Sequence, residues 1–293
     1  MGAGSLYGPY DRSVSGCAGI VLAGGRSSRM GTPKAALEWH GSTLLRRTVG
    51  ILARVSDGPV VVVRAPGQDL PPLPPATEVV DDPHEGLGPV QGLAAGLAAL
   101  TGRAEVAFVS STDMPFLHPA FVRRVLRAAQ DGADVGLPVA RGYPQPLAAS
   151  YRVTLAPVAA KLVAEERLRP AFLFEQCAVD RLDEAALRAD PMLAALDPGL
   201  DSVVNVNEPA DYQQARARPA PEVTIQRFGP LADGHRGPEQ VLAATVAGAA
   251  DAAGLALDAH VVAALNGDQI TRDGETPLAA GDSVFFLSAD AGG

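Results

Sequence analysis

Short apolar runs alternate with amphipathic stretches through most of the chain. Runs at residues 19–23, 60–63, 78–80, 106–109 and 135–139 have the length of strands. Between them, residues 43–55 and Pro119–Gln130 carry apolar positions at helical spacing, the second through Phe121, Val122, Val125, Leu126 and Ala129. Strands that alternate with helices predict an α/β, Rossmann-like, mostly parallel sheet with helices on both faces. Ligands of such a sheet bind beyond the carboxyl ends of its strands.

The proline-rich residues 66–75 interrupt this rhythm and read as an irregular surface connection. A second proline-rich stretch, residues 216–221, ends it. Beyond lie an alternating strand at 222–228, a helical pattern at 238–253, a strand at 261–265, an Asn266-Gly267 hairpin signal and a last strand at 283–287. The pattern predicts a small α+β roll. The expected plan is a flexible N-terminus (1–16), a first domain (17–216), a linker (217–221) and a second domain (222–293).

Charge supports two modules. Of a net charge of −9, most lies after Pro219, where ten acidic residues face three arginines. Neither part has the clustered positive face of a nucleic-acid binder. With 47% hydrophobic and 19% charged residues, the chain of 293 has material for a full core. Its two cysteines, Cys17 and Cys177, sit at no metal-ligand spacing, which excludes a disulfide framework or zinc cluster and fits a reducing cytoplasm. The first fifteen residues lack the apolar core of a signal peptide, and no run reaches the length of a membrane span. A cytoplasmic location without membrane contact is expected.

The chemistry concentrates after the first apolar run, in 20-IVLAGGRSSRMGTPK-34. A Walker loop needs Gly, four residues, then Gly-Lys-Ser/Thr, and a dinucleotide fingerprint needs Gly-x-Gly-x-x-Gly opening a helix. Neither spacing occurs here, and Pro33 would interrupt a helix. A longer loop remains, in which Gly24 and Gly25 let backbone N–H groups approach an anion while Arg29 and Lys34 supply charge. Lys34 and Lys161 are the only lysines in the chain, so a compact ammonium at this place is notable. The same loop also reads as a solvated Gly-Ser turn.

Asp113 follows the fourth apolar run, where a carboxylate either caps a turn or bridges a hard cation to phosphate. Asn205 and Asn207 bracket Val206; strand alternation would point both to one face as cation ligands, and a cap before the following helix is the other reading. Asp81 and Asp82 end a short strand before a Gly-rich turn, and a carboxylate can accept from the two adjacent donors of guanine. His40, His84 and His118 have no Ser or Cys partner in triad order.

The pattern Leu-Ala-Gly-Gly-x-Ser-x-Arg-Met-Gly followed by Lys resembles the signature of nucleotidyltransferases, and in its double-Gly form that of the molybdenum cofactor guanylyltransferases. The motifs 81-DDPHEGLGPVQGL-93, 112-TDMPFL-117, 145-QPLAASY-151 and 205-NVNEPADY-212 follow in the order of that family. The resemblance implies transfer of GMP from MgGTP to the phosphate of the molybdenum-bound pterin cofactor, with release of pyrophosphate. It implies nucleotide binding by Leu22, Ala23, Gly24, Gly25, Lys34, Asp81 and Asp113, with Asp82 as the alternative to Asp81. Arg29, Lys34 and Asp113 become the catalytic set, and Asp113 with Asn207 the Mg²⁺ ligands. Cytidylyl or other nucleotidyl transfer stays open, as does an inactive domain serving as a scaffold.

The segment 266-NGDQITRDGETPLAAGDSVFFLSADAGG-293 resembles the small ubiquitin-like (β-grasp) sulfur carriers of molybdopterin synthesis. That resemblance implies that a carrier-activating adenylyltransferase adenylates the carboxylate of Gly293. Conversion to a thiocarboxylate and use by the large subunit of molybdopterin synthase would follow. Two terminal glycines make an arm thin enough for a narrow channel. Ser288-Ala289-Asp290 departs from the proline-containing stretch usual there.

Overall fold

The structure, a computed structural model, describes residues 16–24, 33–83, 86–234 and 237–289. Its described residues fall into two compact units: those within Ser13–Leu37 and Thr43–Ala215, and those within Glu38–Ser42 and Arg216–Gly293. The predicted flexible N-terminus lies, apart from Gly16, outside the described residues.

The larger unit is built on seven strands: β1 (Cys17–Leu22), β2 (Val60–Arg64), β3 (Thr77–Asp81), β4 (Val106–Ser111), β5 (Val135–Ala140), β6 (Ala148–Arg152) and β7 (Val179–Leu182). They lie in the order β7-β5-β6-β4-β1-β2-β3, and a two-residue strand, Tyr143–Pro144, pairs with β5. Strands β4, β1, β2 and β3 run parallel, as do β5 and β7, while β6 is antiparallel to both of its neighbours. The sheet is therefore mostly parallel, as the alternation of patterns predicts.

Helices α1 (Leu44–Ala53) and α3 (Pro119–Gln130) cover one face, and α2 (Pro89–Ala99) and α4 (Ala156–Ala164) the other. Strand β1 shows why. Cys17 and Val21 enter a core with Leu45, Val49, Phe121 and Val125, whereas Ala18, Ile20 and Leu22 join Val90, Leu93, Leu97 and Leu162. A strand buried on both faces must be apolar at every position, and CAGIVL is. The helix starts are chemically marked: Thr43 Oγ1 accepts from Arg46 N at 3.2 Å, His118 Nδ1 accepts from Ala120 N at 3.1 Å, and α2 and α3 each open with proline.

Strands β6 and β7 carry no signal that the sequence reading used. β6 reads AASYR, weak in β-branched residues, and only Leu182 of the edge strand β7 is fully buried. Residues 204–207 form no strand, so the alternation expected for Asn205 and Asn207 does not apply. The chain returns from β3 at one side of β1 to β4 at its other side, which makes the carboxyl ends of β1 and β4 the switch point of the sheet.

The smaller unit holds β8 (Glu222–Arg227), β9 (Glu239–Leu242), α5 (Val246–Ala252), β10 (Val261–Leu265), β11 (Gln269–Thr271) and β12 (Ser283–Ser288). Their order is β9-β8-β12-β10-β11; β8 and β12 are parallel and the other pairs antiparallel. Val223, Ile225, Val246, Ala249, Leu265, Val284 and Phe286 make its core. The helix expected over 238–253 is corrected here. Its first part is β9, paired with β8, and the helix begins only after Thr245, whose Oγ1 accepts from Gly248 N at 3.2 Å. The expected hairpin does occur: a three-residue connection joins Leu265 to Gln269, and Asn266 and Gly267 in it take positive φ of 54° and 90°.

Candidate active site

Strand β1 ends in a tight apposition to β2. Ala23 N and Gly24 N both donate to Val63 O, at 2.8 and 3.3 Å, and a Cβ on Gly24 would lie 3.2 Å from Ala65 N. Only glycine fits that approach without a shift. Gly25 and Arg29 lie outside the described residues. The chain is described again from Pro33, and Lys34 opens a short 3₁₀ turn, Lys34–Ala36.

Lys34 Nζ donates to Asp113 Oδ2 at 3.0 Å and to Asn207 Oδ1 at 2.9 Å. These residues come from three distant parts of the chain and meet at the switch point. Ser111, the last residue of β4, donates through Oγ to Asp113 Oδ1, and Val206 N donates to Asp113 O at 2.9 Å, which holds the 204–207 segment at the end of β4. Asn207 N and Glu208 N in turn donate to Asp211 Oδ2 at 3.1 and 3.0 Å. Lys34 and Asp113 side chains are 20% and 17% exposed, so the ion pair is mostly shielded but still open to solvent at one side.

A hard divalent cation fits this donor set. Asp113 Oδ2 and Asn207 Oδ1 already converge on one positive charge, and a carboxylate with a neutral amide leaves most of a Mg²⁺ shell to phosphate and water. Among the described residues no cluster of three or more His, Cys, Asp or Glu side chains could hold a metal by itself.

The two carboxylates at the end of β3 part company. Asp81 Oδ1 accepts from Arg64 Nε at 2.7 Å on the exposed side. Asp82 N donates to Arg64 O, and Asp82 Oδ2 lies 3.8 Å from the Cβ position of Gly92, in the first turns of α2, where Leu22 Cδ2 also approaches. Asp82 is thus the one directed towards the end of β1. Asn205 is exposed, and His118 is buried as the cap of α3. Both thiols are held in the protonated form: burial, with Asp57 and Glu105 nearby, pushes Cys17 up to about 12, and burial with Asp134 pushes Cys177 up to about 11. Ser111 and Gln68, which touch Asp113 and Ala23, are absent from the sequence-derived set. For Gln68 the available signal is the turn sequence Ala65-Pro66-Gly67-Gln68.

A charged cluster at the switch point of a mostly parallel sheet, beyond a glycine-rich strand end, defines a nucleotide-handling α/β enzyme. Comparison with known proteins narrows the class. Residues 19–180 match the MobA-like NTP transferase domain. The chain belongs to that family and is a nucleotidyltransferase. A probable molybdenum cofactor guanylyltransferase of Opitutus terrae is 35% identical over 211 residues, which cover 71% of this chain and 98% of the relative. One of the same description from Mycobacterium tuberculosis is 45% identical over 143 residues, 47% of this chain and 69% of the relative. In fold, the molybdopterin-guanine dinucleotide biosynthesis protein A of Archaeoglobus fulgidus is similar with a TM-score of 0.54 at 22% identity, over 68% of this chain and 96% of that one.

Proposed function

We propose that the first domain transfers GMP from MgGTP to the phosphate of the molybdenum-bound pterin cofactor and releases pyrophosphate. The observation that carries this reading is the convergence of Lys34, Asp113 and Asn207 at the switch point, in a chain whose relatives are described as guanylyltransferases. Asp113 and Asn207 would hold Mg²⁺, which supplies charge neutralisation across the triphosphate. Lys34, which now holds both oxygens, would yield them to such a cation and offer its ammonium to the phosphates of the nucleotide. Gly24 and Gly25 leave room for backbone N–H groups to approach those phosphates, and Arg29 adds charge where it develops. The acceptor phosphate is itself the nucleophile, so a Ser or Cys triad is not required. For the base, the orientation of Asp82 supports it as the reader of guanine, and Asp81 keeps that role if its pairing with Arg64 opens. The test is Asp113→Ala, which should abolish pyrophosphate release from GTP at unchanged thermal stability; undiminished release would contradict the assignment.

The second domain serves, in this reading, as a ubiquitin-like sulfur carrier for an earlier step of the same synthesis. Support comes from its topology. The first and last strands form a central parallel pair, each flanked by an antiparallel hairpin strand or strands, and one helix packs on the core, as in a β-grasp roll. The carrier carboxylate of Gly293 lies outside the described residues. Its partners would be an activating adenylyltransferase and the large subunit of molybdopterin synthase, in the cytoplasm. Among the described residues no helix is long and apolar enough to cross a membrane.

A further inference from the structure

We propose that Gln68 is a positioning residue for the nucleotide, fixing the Ala23–Gly24 end of β1 from the turn that follows β2; this rests on the nucleotidyl-transfer reading of that strand end. Residues Ala65-Pro66-Gly67-Gln68 form a β-turn closed by Gln68 N donating to Ala65 O at 3.0 Å, with Gly67 at a φ of 69°. Proline at the second position and a left-handed glycine at the third are what a type II turn needs. The turn brings the Gln68 side chain back to β1. Its Nε2 donates to Ala23 O at 3.0 Å, its Oε1 accepts from Ala65 N at 3.0 Å, and its backbone carbonyl accepts from Arg64 Nη1 at 3.0 Å.

Strand β2 has ended at Arg64, so the Ala65 N–H lies past the ladder, and Gln68 supplies its acceptor. Ala65 N is also the atom against which Gly24 is packed. The carboxamide thus acts as one more peptide unit between β1 and β2, joining the Ala23 carbonyl to the Ala65 amide. Only Asn and Gln carry a donor and an acceptor on one planar head, and the longer Gln is what spans this gap. With Ala23 O and Ala65 N both held, the Ala23–Gly24 end of β1 is fixed before a ligand arrives, so order that would otherwise be imposed on binding is present beforehand.

The test uses the full chain with Gln68→Met, which keeps bulk and removes both side-chain hydrogen bonds, and Gln68→Glu, which keeps the acceptor and sets a carboxylate against the Ala23 carbonyl. Calorimetry with MgGTP, initial rates of pyrophosphate release and Tm are measured. Both variants should raise Kd and KM for MgGTP about tenfold, the scale of a lost hydrogen bond, with kcat unchanged and Tm lowered by only about 2–4 °C. Wild-type affinity in both variants overturns the inference alone. A lowered Tm with reduced kcat and unchanged KM also overturns it, because the role is then structural. Absence of nucleotide binding by the wild-type chain overturns the functional reading and this inference with it.

Discussion

At the residue scale, the chemistry turns on one ammonium shared by two oxygens. Lys34 contacts the atoms that a divalent cation would need, Asp113 Oδ2 and Asn207 Oδ1. If Asp113 and Asn207 are the metal ligands, metal and lysine would compete for one place. Replacing Lys34 by Met should tighten the binding of Mn²⁺ alone by about tenfold, because a like charge leaves the site, while MgGTP binding weakens. Electron paramagnetic resonance of free Mn²⁺ measures the first effect, and equal metal affinities in the two proteins would contradict the competition. Lys34 and Asp113 were legible because a scarce lysine and a carboxylate after an apolar run are signals in one dimension. Gln68 was not, since its importance comes from two backbone atoms that only the folded β1–β2 pair brings together. The different surroundings of Asp81 and Asp82 likewise come from Arg64, whose register opposite Asp81 is set by β2 pairing with β3.

At the element scale, strands buried on both faces announce themselves, and half-exposed ones do not. The runs of β1, β2 and β4 are continuous and apolar, whereas β7 has one fully buried side chain and β6 a sequence that could belong to a loop. The error over 238–253 has the same origin: β9 is a half-exposed EQVL with no run of its own, and only its pairing with β8 separates strand from helix. Helix and sheet pack closely where α3 crosses β5. A Cβ on Gly136 would lie 2.6 Å from Ser150 Oγ and 2.8 Å from both Ala128 Cβ and Val125 O. Gly136→Val should cost about 1–3 kcal/mol through overpacking, read as a lower denaturation midpoint in urea at unchanged slope. A midpoint equal to that of the parent would show that the helix can lift without penalty.

At the scale of the whole molecule, the described residues fold as two units with separate cores. If the carrier reading holds, deleting Gly293 should abolish thiocarboxylate formation by an activating adenylyltransferase, seen as loss of the mass gain from oxygen replaced by sulfur. The deletion should leave GTP turnover intact; a parallel loss of turnover would contradict independent functions. The central claim is guanylyl transfer at the β1–β4 switch point. Calorimetric titration of the full chain with GTP, CTP and ATP, each with and without Mg²⁺, tests loop, metal ligands and base choice together. The account predicts Mg²⁺-dependent binding of GTP at least about tenfold tighter than of CTP or ATP. Equal affinities for the three nucleotides, or binding indifferent to Mg²⁺, would contradict it.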